Sequence, residues 1–186
     1  MKIKTYQIVF LFFAFFSFGQ NANLPDTKTI KANFTTASVK AYQESATLKV
    51  EDFYNYLTIL SNETTSEALK TEVKASIYSL FERENVTLID LTEEEKNIIF
   101  LNNLVEKIEN KNYTFKVSDF ESSIVAADFW TTKYQLTMIQ NNKKTEAQYF
   151  QKVKFKPILK SFGTTKKQVW TLLLGEIEQY KNTKKP

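Results

Sequence analysis

No histidine and no cysteine occur anywhere in the chain, and glycine and proline number only three each. Without histidine or cysteine there is no Ser-His-Asp or Cys-His nucleophile, no ordinary zinc or transition-metal ligand set, and no haem held by His, Cys or Met/His. Three glycines are too few for a phosphate-cradling loop. No metal and no cofactor are therefore expected, and no residue declares itself catalytic. Any chemistry is left to Asp, Glu, Tyr and Lys. The lack of cysteine also excludes disulfides and attachment of a lipid at a lipobox, so the core alone must hold the fold.

Long hydrophobic runs are scarce as well. The one conspicuous case is "IVFLFFAFFSF" (Ile8–Phe18), preceded by Lys2 and Lys4 and followed by Gly19. Eleven residues rise only about 16 Å as a helix, against roughly 30 Å of hydrocarbon. The charged start, the short apolar stretch and the small residues Ser17 and Gly19 predict a secretory leader cleaved before Gln20. A retained membrane anchor is the alternative. The ending "FSFGQ" resembles leaders of secreted proteins of the Bacteroidetes. The mature chain is expected in the periplasm or outside the cell and, once cleaved, not to span a membrane.

Charge is divided along the chain. Leu48 to Asn110 carries six Lys or Arg against thirteen Asp or Glu, whereas Lys111 to the end carries fourteen Lys against six acids. An acidic half thus precedes a basic half, which the net charge of +4 conceals.

The periodicity divides at nearly the same place. Residues 20–47 are polar and Thr-rich and read either as an extended or irregular lead-in that turns helical near Val39 or as a disordered tether. Val50, Phe53, Tyr54, Leu57 and Leu60 recur every three or four residues and predict a helix over about 48–60. Thr64 with Glu67 has capping-box spacing and predicts a second helix reaching about Phe81, with Leu69, Val73, Ile77 and Leu80 inward. "VTLIDL" (86–91) predicts a short strand. Thr92 with Glu95 predicts a third helix over about 93–109, with Ile98, Leu101, Val105 and Ile108 inward. From there the period becomes two, predicting strands over 113–126, 129–140, 146–158 and 166–180, with turns at "QNNKKT" and "KSFGTT". Pro157 ends a pairing or marks a bulge. The last strand is apolar on both faces at Leu172–Leu174, so it is expected to lie centrally or beneath a cover, for which 20–47 is available.

The expected fold is α+β: three helices packed on a curved antiparallel sheet of four long strands, plus one short strand. The expected organisation is a leader (1–19), a lead-in (20–47), one domain (48–180) and a basic tail (181–186). This order, carried by "VEDFYNYLTIL", "LKTEVKASIYSLF", "VTLIDL" and "FWTTKYQLTMIQ", resembles the NTF2-like (cystatin-like) superfamily. The resemblance implies a sheet wrapped around a long helix into a cone with an internal pocket. It leaves activity open, because the superfamily holds both enzymes and non-catalytic modules.

Two surfaces follow from strand alternation. Asp128, Trp130, Tyr134, Tyr149, Phe155 and Trp170 fall on the inner face, where they either fill the core or line a pocket for an aromatic or lipid-like ligand. In the second case Asp128 with a tyrosine suits the acid-base style of lyases and isomerases. Lys116, Lys133, Lys152, Lys154 and Lys156 fall on the outer face, either as solvating charge or as a dock for an anionic envelope partner. Because aromatics and lysines lie on opposite sides of the sheet, the stacked-base, clamped-phosphate arrangement of a nucleic-acid binder is not expected. A charged outer face also predicts a monomer. Three functions remain open: a non-catalytic binding module, a small lyase or isomerase, and an envelope adaptor.

Overall fold

The computed structural model describes residues 29–83, 85–93, 95 and 97–179. The leader, its cleavage site, the start of the lead-in and the tail 181–186 lie outside the described residues. The chain is α+β, in the order α1 (Ile30–Asn33), α2 (Thr36–Ser61), α3 (Glu67–Leu80), β1 (Thr87–Ile89), β2 (Ile98–Phe100), α4 (Leu101–Ile108), β3 (Thr114–Ser122), β4 (Phe129–Gln140), β5 (Lys143–Phe162) and β6 (Thr165–Gln179). Among the described residues no helix is long and apolar enough to cross a membrane.

Helix α2 starts at Thr36, twelve residues before the expected helix. The Thr35 hydroxyl accepts from the Ser38 amide at 3.2 Å and caps it. Val39, Tyr42 and Ala46 extend the stripe of Val50, Phe53, Tyr54, Leu57 and Leu60 at the same spacing of three and four, so much of the lead-in belongs to the core-facing helix. Helix α3 is capped by Ser66, not by Thr64, whose amide and hydroxyl instead donate to Asn62 Oδ1 at 2.9 and 2.8 Å. In α3 Leu69, expected inward, is 49% exposed, and Lys70 beside it is 3% exposed. The Lys70 ammonium donates to Glu67 Oε1 at 2.8 Å and Asn110 Oδ1 at 2.6 Å, which keeps the charge partnered.

The third helix begins later than expected. Asp90 is buried, and its Oδ1 accepts from the Thr92 amide and hydroxyl at 2.8 and 2.7 Å, so the chain turns here instead of entering a helix. Residues 98–100 then pair with β1 as an antiparallel strand, Leu88 opposite Ile99. Ile98, expected inward, is 75% exposed.

The large sheet is an antiparallel meander in the order β3-β4-β5-β6. Asn141 and Asn142 both take positive φ (48° and 63°) in the β4–β5 turn, as a tight two-residue hairpin requires. Register shifts between Ser118 and Glu121 and between Gln151 and Val153 mark bulges that bend the sheet. At the second, a Cβ on Gly175 would meet the Lys152 carbonyl at 3.3 Å. The concave face closes over α2: Trp130, Tyr134, Phe155, Phe53, Tyr54 and Leu57 are all essentially inaccessible.

Strand β6 is an edge strand, not a central one. Its apolar positions are covered from both directions. Phe81 forms a parallel bridge to Leu174, and Phe34 from the lead-in packs its ring 5.0 Å from Trp170 and 5.1 Å from Phe155. Pro157 lies within β5, opposite Trp170, and pairing continues past it to Phe162. The Phe155 amide donates to the Asp128 carbonyl at the end of β4, so the Pro157 nitrogen, two residues on, faces the same side beyond that strand and no ladder bond is lost.

Candidate functional site

Among the described residues the concave face does not hold one large pocket. Its centre and the end at the start of β4 are filled by rings. Phe155 lies 4.3 Å from Tyr42, 5.1 Å from Trp170 and 6.2 Å from Trp130 by ring centroids. Deeper in, the hydroxyls of Tyr54 and Tyr134 lie 2.8 Å apart, and Tyr134 stacks on Tyr149 at 6.3 Å. Burial pushes all three phenols up, Tyr149 to about 12, so each remains a neutral hydrogen-bonding group.

At the opposite end, where β4 turns into β5, the sheet and the loop after β1 part to leave a cleft of about 310 Å³. Leu136, Met138, Ala147 and Tyr149 form its sheet wall, with Tyr113 beside Met138 just before β3, and Leu91, Thr92 and Glu93 line it from the loop. The volume sits at the small end of the usual range for small-molecule sites, about 300–1,000 Å³.

An ion pair between buried Asp90 and exposed Lys107 fixes the loop wall. Burial alone raises the Asp90 carboxyl, but hydrogen bonds from Lys107 and Thr92 outweigh it and hold the group below the usual carboxylate range. Lys107 Nζ lies 2.6 Å from Asp90 Oδ2 and also binds the Glu93 carboxylate. Helix α4 thereby ties down the loop that carries Leu91, Thr92 and Glu93.

The inner-face residues anticipated from alternation are therefore split. Tyr149 lines the cleft; Trp130, Tyr134 and Phe155 are core, and Trp170 packs in the ring cluster at the far end. Asp128 precedes β4, whereas the cleft lies at Leu136–Gln140, about 25 Å away along an extended strand. The structure does not bring Asp128 together with Tyr134 or Tyr149. Leu136 and Met138 were legible as inner-face residues. Thr92 and Glu93 were not, because Thr92 with Glu95 mimics a helix start, and Leu91 read as the end of a short strand.

The outer-face lysines are alternately disposed as expected, but acids from elsewhere meet most of them. Glu82, just past the Phe81 bridge, reaches over β6 to Lys154 at 2.5 Å and to Lys156. Those two bonds hold its carboxyl down at about 2. Lys133 lies 3.4 Å from Glu121, and Lys152 lies 3.7 Å from Glu176 and over the Phe129 ring at 4.7 Å. Lys116 lies on β3, the opposite edge.

Among the described residues no group of three Asp or Glu is placed to hold a metal ion. No protein-family model matches the sequence, and no curated protein matches it.

Proposed function

We propose that this chain is a secreted or periplasmic, non-catalytic binding module of the NTF2-like kind, acting as a monomer after removal of Met1–Gly19. It takes a small, mainly apolar molecule into the cleft between the β4–β5 turn and the Leu91–Glu93 loop. The observation that carries this reading is the cleft itself, about 310 Å³ with Leu136, Met138, Ala147 and Tyr149 as its sheet wall. Burial raises the phenols of Tyr113 and Tyr149, which line it. Proton transfer near neutrality needs the reverse, a base or acid drawn towards pH 7. Apolar walls with a few polar rim groups suit binding and orientation instead.

Acid-base catalysis through Asp128 has no support in the placement of that residue. Ala147→Trp tests the reading, because Ala147 is a small, half-buried wall residue whose enlargement fills the cleft without touching the ring core. Binding of anilinonaphthalene sulfonate, an apolar anionic fluorophore, is expected to weaken at least about tenfold, the loss of about 1.4 kcal/mol. Undiminished binding by a folded Ala147→Trp protein contradicts the assignment of the cleft.

A further inference from the structure

Beyond Lys154 strand β5 has no partner in β4, yet its pairing with β6 runs on to Phe162 and Thr165. The result is a two-stranded arm projecting from the sheet. Every residue from Leu159 to Gln168 is exposed. A lone ribbon of this kind has no core of its own to stabilise it.

Its side chains are unusual for a merely solvated hairpin. Leu159 is 73% exposed and Phe162, at the turn, 54%. Lys160 stands directly opposite Lys167, and Lys166 opposite Ser161. No acid occurs between Glu146 and Glu176 to offset them. Like charges facing each other across an antiparallel pair destabilise it. The arm therefore places cations where the isolated ribbon gains nothing from them, in contrast to Lys154 and Lys156, which share Glu82. Alternation puts Lys160, Phe162 and Lys167 on one face and Leu159 and Lys166 on the other, so each face mixes apolar and cationic groups around the tip.

We propose that this arm is a peripheral docking element for an anionic lipid bilayer. Lys160, Lys166 and Lys167 meet headgroup phosphates while Phe162 and Leu159 enter the acyl boundary. A bilayer fits better than a soluble polyanion, because only the bilayer gives the two exposed apolar side chains somewhere to go. A second copy of the chain fits worse, since arm-to-arm pairing would bring the lysines together. The surface is separate from the cleft and does not depend on the function assigned there.

Vesicle flotation tests this with the chain from Gln20 onward. That chain keeps every described residue and omits the apolar run Ile8–Phe18, which would bind lipid by itself. The protein should float with vesicles of phosphatidylcholine containing one third phosphatidylglycerol and remain behind with pure phosphatidylcholine. Added salt should weaken the binding. Lys160→Glu/Lys166→Glu/Lys167→Glu and Leu159→Ser/Phe162→Ser should each cut it at least about tenfold while leaving the circular dichroism and melting temperature unchanged, since the altered side chains are exposed. Equal flotation on both vesicle types, no flotation, or flotation unaffected by either variant overturns the proposal. Retention on heparin without flotation would overturn it in favour of a soluble polyanion. Self-association abolished by Leu159→Ser/Phe162→Ser, without flotation, would overturn it in favour of a second copy.

Discussion

The phenolic oxygens of Tyr54 on α2 and Tyr134 on β4 meet at 2.8 Å, each in a side chain with essentially no solvent exposure. This bond joins the long helix to the centre of the sheet. It also explains how two polar atoms are accommodated among rings, since each satisfies the other. Tyr54→Phe or Tyr134→Phe leaves one hydroxyl buried without its partner and should cost about 1–2 kcal/mol. The double variant should cost clearly less than the sum, because it leaves neither orphan. Denaturant melts of the four proteins check the cycle; strict additivity would deny the bond.

A second polar group lacks that arrangement. Thr132 is fully buried opposite Gln151, and its hydroxyl has no partner among the described residues. Thr132→Val preserves shape and removes the unpartnered group, so stability should be unchanged or higher, by up to about 1 kcal/mol. A loss above that value in thermal or denaturant melts would show that the hydroxyl is engaged.

Glu82 straps the edge of the sheet by binding Lys154 and Lys156, and those bonds lower its carboxyl from 4.5 to about 2. A carboxylate depressed on folding stabilises the fold above its unfolded value, and that contribution fades as pH falls from about 4.5 towards about 2. The stability difference between the parent and Glu82→Gln, read from denaturant melts, should therefore be widest near neutrality, about 1 kcal/mol after screening, and close in acid. A gap independent of pH would contradict this.

The pair of Asp90 and Lys107 is one-sided, since the Asp90 side chain is only 2% exposed and that of Lys107 is 39% exposed. Lys107→Met leaves the Asp90 carboxylate with Thr92 alone and should destabilise by about 1–2 kcal/mol. Asp90→Asn keeps an acceptor for Thr92 and should cost less. Both should loosen the Leu91–Glu93 wall and weaken fluorophore binding. Calorimetry of the two variants, with and without the fluorophore, separates the effects, and equal melting of both would contradict the ranking.

The basic half of the chain was readable in detail because a period of two is hard to mistake: β4 runs over Phe129–Gln140 as expected, and the asparagine turn closes it. The acidic half was less so. Val39, Tyr42 and Ala46 carry the stripe of α2 through a Thr-rich stretch whose composition argues for a loop, and packing against Phe155 prevails over propensity. Thr92 with Glu95 copies a capping box, yet Asp90 takes the Thr92 amide first. The cleft depends on that turn, which brings residues 91–93 against strand residues about 45 positions later. Strand alternation alone identified the inner face but not which part of it the aromatic rings would close.

The central claim is that ligand enters at the β4–β5 turn and not at the Asp128 end. Methyl and backbone chemical-shift mapping with anilinonaphthalene sulfonate tests it most directly. Saturable shifts concentrated at Leu91, Leu136, Met138 and Ala147, with Trp130 and Asp128 unmoved, are the predicted result. Shifts centred on Asp128, Trp130 and Trp170, with the four cleft residues silent, would contradict it.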